Sequence, residues 1–116
     1  MKSQLIKKDF DTSILINFLC KLGKIENKYI LVDNYTFRKN TFDDNSFIID
    51  FYTQMKDYYY YNKYKYLERV PDFKTVMTVM RQLLKYKEIP YESKIRYDNS
   101  SYITQYFIYS SELGLQ

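Results

Sequence analysis

The amino-acid sequence predicts an α+β domain with three helices and a small antiparallel sheet, in the order α-β-α-α-β-β. Three observations carry this reading. Apolar residues recur at helical spacing in three windows, a short β-prone run stands at Tyr29-Ile30-Leu31-Val32, and the last third alternates at period two around a polar turn. With 116 residues, 46% of them apolar and 28% charged, the chain suits a single domain, 1–116, whose ordered core spans about 11–109.

The first helix is expected over 12–22. Asp11 or Thr12 can cap it, Ile14, Leu15, Phe18, Leu19 and Leu22 form its apolar stripe, and Gly23 stops it. The strand at 29–32 follows and ends near Asp33-Asn34, with Tyr35-Thr36-Phe37 expected to extend or pair with it. A second helix should start in the polar cluster Asp43-Asp44-Asn45-Ser46. Its apolar positions Phe47, Ile48, Phe51 and Met55 carry it from about 45 into the run Tyr58-Tyr59-Tyr60-Tyr61. Pro71 disfavours helical geometry at Val70 and suits the start of the next helix.

The third helix, 73–86, carries the clearest stripe: Phe73, Val76, Met77, Met80, Leu83 and Leu84 face one way and Lys74, Thr75, Thr78, Arg81, Gln82 and Lys85 the other. A terminal hairpin then pairs 93–97 with 102–109 across the turn residues 98–101, and 110–116 form a frayed end.

Composition excludes much chemistry. There is no His, so His-based acid–base mechanisms, catalytic triads and His-containing zinc sites have no parts, and no metal or cofactor is expected. The two glycines, Gly23 and Gly114, are too far apart for a phosphate loop. The carboxylates Asp33, Asp43 and Asp44 read as turn and helix-start residues rather than as a Mg²⁺ site, and the protein is expected not to be an enzyme. Cys20 lies in an apolar helical run and reads as a small core hydrophobe. With one cysteine, no apolar run near 20 residues and no secretory signal, the expected setting is intracellular, without a membrane.

The residues are also skewed. Lys, Ile, Asn, Tyr and Phe, with A/T-rich codons, dominate, and Ala and Trp are absent. This points to a very A/T-rich genome, such as that of a large DNA virus, and supplies part of the 15 tyrosines without functional demand.

Charge is unevenly spread. Residues 1–51 hold eight basic and seven acidic side chains, 52–97 hold ten and five, and 98–116 hold none and two, giving +1, +5 and −2 and summing to the net +4. The basic middle segment also holds most of the tyrosines, a pairing that serves phosphate contact and base stacking. The polar face of the third helix has the side chains that meet phosphates and base edges, although any soluble amphipathic helix presents such a face. Tyr58, Tyr59, Tyr60, Tyr61, Tyr64 and Tyr66 are candidates for a protein interface or for self-association, against the alternative of packing within the domain.

This element order resembles the winged-helix variant of the helix-turn-helix fold over residues 11–109. The resemblance implies nucleic-acid binding, with 73–86 as the recognition helix contributing Lys74, Thr75, Thr78, Arg81, Gln82 and Lys85, and with Lys94, Arg96 and the turn at 98–101 in the wing. Two departures stand out. The connection before the third helix is longer than a tight turn, and the tyrosine-rich end of the second helix has no counterpart in the pattern.

Overall fold

The computed structural model describes residues 6–60 and 69–110. Among them are helices α1 (Thr12–Leu22), α2 (Asn34–Thr41), α3 (Ser46–Met55) and α4 (Phe73–Tyr86). Strands β1 (Lys24–Glu26), β2 (Tyr29–Val32), β3 (Tyr91–Asp98) and β4 (Ser101–Ile108) form one antiparallel sheet in the order β1-β2-β4-β3. The α+β class, α1, β2, α4 and the terminal hairpin follow the sequence reading; β1 and α2 are additional.

The Asp11 carboxylate accepts the Ser13 N–H at the start of α1, and the Gly23 N–H closes the helix on the Leu19 carbonyl. Gly23 is extended, with φ −117° and ψ −152°. Its function is therefore close approach, because a Cβ there would meet the Leu31 carbonyl oxygen and the side chains of Val32 and Ile30.

Tyr35, Thr36 and Phe37 do not extend the strand; they lie in α2. Asp33 and Thr36 form a reciprocal capping box, in which the Asp33 carboxylate accepts the Thr36 N–H at 2.9 Å and the Thr36 hydroxyl accepts the Asp33 N–H at 2.9 Å. Two satisfied backbone donors outweigh the β preference of Tyr-Thr-Phe, and Phe37 is buried. Asn40, a turn further on, donates its amide to the carbonyls of Leu22 and Gly23, both at 2.9 Å, so α2 caps the end of α1.

Helix α3 ends at Met55, short of the tyrosine run. The reason lies at the other end of the chain. The Lys7 ammonium takes the Lys56 carbonyl at 2.7 Å, the Lys7 N–H takes the Tyr58 carbonyl at 2.6 Å, and Ile6 pairs with Tyr59 in an antiparallel bridge. Together with a turn in which the Tyr58 and Tyr59 N–H groups donate to the Met55 carbonyl, these bonds satisfy groups that a continued helix would have satisfied internally.

Helix α4 runs over the predicted range, with Asp72 accepting the Thr75 N–H at its start. The α4 stripe, including Val76, Met80, Leu83 and Leu84, closes a core with Leu15, Leu19 and Leu22 of α1, Ile48, Phe51 and Met55 of α3, Ile30 and Val32 of β2, and Ile108. No helix among the described residues is long and apolar enough to cross a membrane.

Candidate nucleic-acid interface

Helix α4 presents Lys74, Thr78, Arg81 and Lys85 as one exposed stripe, at i, i+4, i+7 and i+11. Thr75 and Gln82 are half-buried on its flank. The Thr78 hydroxyl donates to the Lys74 carbonyl at 3.0 Å, and Arg81 lies back along its own helix, Nε to the Met77 carbonyl at 3.4 Å. Among the described residues no ion pair engages Lys74, Arg81 or Lys85. The Asp72 carboxyl, at the start of α4, is held below its ordinary value, first by the Thr75 N–H, then by the Thr75 hydroxyl, with the charges of Lys74 and Arg69 contributing less.

The hairpin brings a second set of groups to this stripe, but not the expected ones. Strand β2 pairs only with Tyr106–Ile108 of β4, so beyond Gln105 the hairpin projects as a two-stranded ribbon. Tyr106 stacks edge-on to Phe73 of α4, with ring centroids 6.3 Å apart, which fixes the α4-facing side of the pleat. Register then puts Ser93, Ile95, Tyr97, Tyr102 and Thr104 on that side. Lys94 and Arg96 fall on the other, where the Lys94 ammonium lies over the Phe107 ring at 5.2 Å and the Arg96 guanidinium pairs with Asp98 at 3.3 Å. The Asp98 carboxylate also accepts the Tyr35 hydroxyl at 3.2 Å, and the Asp33 carboxylate accepts the Gln105 amide at 3.3 Å, so α2 rests on this charged side. The expected basic residues of helix and wing therefore occupy opposite faces of the ribbon, and the basic face is confined to α4.

Between α4 and the ribbon lies an open cleft of about 580 Å³, within the usual range of ligand sites of about 300–1,000 Å³. Lys74, Met77, Thr78 and Arg81 line one wall, Tyr102, Ile103, Thr104 and Tyr106 the other, and Asn34, Asp72 and Phe73 complete the lining. Tyr97 and Tyr102 are opposed in the ladder with ring centroids 4.9 Å apart, and they are 62% and 75% exposed; Ile95 beside them is 72% exposed.

No protein-family model, curated protein or solved structure matches the chain.

The sequence reading missed Tyr97, Tyr102, Thr104 and Asn34 as site residues. The signal was present at 93–97, where alternation puts Lys94 and Arg96 on one face only if Ile95 and Tyr97 take the other. Of the tyrosine run, Tyr59 is buried, Tyr58 is half-buried against Phe10 with Lys8 over its ring, and Tyr60 is exposed with Lys7 over its ring. Packing within the domain therefore accounts for Tyr58 and Tyr59, whereas Tyr61, Tyr64 and Tyr66 lie outside the described residues. Cys20 packs at the margin of the core, and burial pushes its thiol upward, the opposite of what a reactive thiolate requires. Asp33 caps α2, Asp44, one residue before the N-cap Asn45 of α3, accepts the Ser46 N–H, and no group of three acidic or cysteine side chains among the described residues is placed to hold a metal ion.

Proposed function

We propose that the protein is a non-enzymatic, intracellular nucleic-acid-binding module of winged-helix-like design, with α4 as the recognition helix and β3–β4 as the wing. One observation carries the reading: Lys74, Arg81 and Lys85 stand in a row, exposed and outside any described ion pair, beside a cleft bounded by the hairpin. Desolvating such cations is cheap only if a partner supplies anions, and a phosphate backbone supplies them at regular spacing. The connectivity supports it as well. Strand β2, which lies between α1 and α2, is bonded to β4, the last described strand, and the β3–β4 hairpin follows directly on α4. Lys94 and Arg96, on the far side of the ribbon, would then serve phosphates reached around the wing rather than bases beside α4.

The test is binding of DNA and RNA at low ionic strength, followed through a salt titration. The three α4 cations alone predict a log–log slope of about −2.7 on a duplex, and phosphate contacts from Lys94 and Arg96 steepen it. Changing Lys74, Arg81 and Lys85 together to Glu should abolish binding. No detectable binding at low salt refutes the reading.

A second reading is an adaptor that docks a protein or a second copy of itself, and it is favoured by the exposed group Ile95, Tyr97 and Tyr102. Light scattering that gives a strict monomer, with no partner recovered by pull-down, removes it.

A further inference from the structure

The two faces of the β3–β4 ribbon differ in a way that folding alone does not require. The face resting on α2 carries Lys94, Arg96 and Asp98, charged and in part mutually paired, as solvent-facing positions usually are. The face toward α4 carries Ile95, Tyr97, Tyr102 and Thr104, all uncharged, and the first three are more than half exposed. Codon bias can supply tyrosines, but it does not sort them onto one side of a pleat. Burying these side chains against α4 would have been the ordinary use of an apolar ribbon face, yet the cleft stays open, with Lys74 and Arg81 on its opposite wall.

We infer that this cleft holds an unpaired nucleic-acid strand, with a base stacked on the Tyr97–Tyr102 pair and flanking phosphates held by Lys74 and Arg81. The inference rests on the nucleic-acid reading above and narrows it to a ligand class. Three arguments select that class. Ring platforms act on the open faces of bases, which a duplex keeps inside its own stack, so among nucleic acids the exposed rings of Tyr102, in the cleft wall, and Tyr97, paired with it, suit a strand whose bases are free. The direct cross-strand opposition of the two tyrosines limits their freedom before any ligand arrives, so stacking orders little that is not already ordered. The cleft's charge favours an anion: Lys74 and Arg81 are outside any described ion pair, and the one acid in the lining, Asp72, has its carboxylate engaged by the Thr75 N–H. Thr78, Thr104 and Asn34 add neutral donors and acceptors suited to base edges without fixing a sequence.

The experiment compares a labelled single strand with the duplex of the same sequence by fluorescence anisotropy, using the whole chain, Tyr102→Ala, Tyr97→Ala/Tyr102→Ala, Tyr102→Phe and Lys74→Gln/Arg81→Gln. The single strand is expected to bind more tightly than the duplex. Tyr102→Ala should weaken it by about 5- to 100-fold, the effect of removing one base stack, while leaving the duplex unchanged. Tyr102→Phe, which keeps the ring, should bind as the parent does. Lys74→Gln/Arg81→Gln should flatten the single-strand salt slope by about 1.4. If the duplex binds as tightly as the single strand and the alanine variants change neither, the stacking inference falls and the nucleic-acid reading stands. If neither form binds at low salt, both fall. If nucleic acid fails to bind and Tyr97→Ala/Tyr102→Ala turns a dimer into a monomer by light scattering, the ribbon face is a self-association surface and the inference is overturned.

Discussion

Gly23→Ala tests the joint between α1 and β2, on which the sheet's position depends. Two effects of opposite sign compete there. The extended backbone at Gly23 suits alanine, and restricting the unfolded chain would stabilise the fold by about 0.4–1 kcal/mol. Against this, the new methyl would meet the Leu31 carbonyl oxygen and approach Val32 Cγ2 to 2.7 Å and Ile30 Cγ2 to 3.1 Å. Overpacking of this kind costs about 1–3 kcal/mol, depending on whether the neighbours can yield. Here they yield poorly. Leu31 is paired with Lys24 on one side and Phe107 on the other, and Asn40 ties the Leu22 and Gly23 carbonyls to α2. The steric cost therefore falls in the upper half of its range, and the net effect is a loss of about 1–2.6 kcal/mol. In urea denaturation, with a slope of about 2 kcal/mol/M, the midpoint should fall by about 0.5–1.3 M at unchanged slope. A variant as stable as the parent, or more so, would refute the close approach of α1 to β2.

Two further outcomes are expected for stability. Asn99 and Ser100, with φ of 49° and 67°, form a two-residue turn in which both central residues are left-handed, so Ser100→Gly should stabilise the hairpin by about 1 kcal/mol, read as a rise in the thermal midpoint; a fall would contradict the turn geometry. The carboxyls of Asp11, Asp44 and Asp72 are held below their ordinary value of 3.8, chiefly by the N–H groups of Ser13, Ser46 and Thr75. Lowered folded-state values mean that their contribution is complete above about pH 5 and lost as pH falls from about 4 downward. Asp72→Asn, which keeps a capping oxygen without a titrating proton, should make that acid limb of the stability curve shallower, and an unchanged limb would remove Asp72 from the account.

Elements whose pattern and caps agree were legible in the sequence. Helix α4 combines a wide apolar stripe with a preceding Pro71-Asp72, and α1 combines Asp11 with Gly23, so local preference and burial point the same way. Helix α2 was missed because Tyr-Thr-Phe prefers strand and its only start signal, Asp33 three residues before Thr36, reads equally well as a turn. The end of α3 was misplaced because the competitors for the carbonyls just past its end, those of Lys56 and Tyr58, come from Lys7, far away in the chain. The site was half legible. Helical periodicity identifies the exposed cations of α4, but which side of a ribbon faces a helix depends on tertiary packing, here the contact of Tyr106 with Phe73.

The sheet's pairing order bears on how the domain is made. Strand β4 lies between β2 and β3 although it follows both in the chain, and Ile30 meets Ile108 only when nearly the whole described chain is present. Until then β2 can pair with β1 alone, and Ile30 and Val32 lack the part of the core that α4 and β4 supply. During synthesis the nascent chain must carry an incomplete core past its midpoint, and the closing event is a long-range one, slow compared with helix formation. Removing the last hairpin strand would thus cost more than the wing, because the rest of the sheet would have lost its centre.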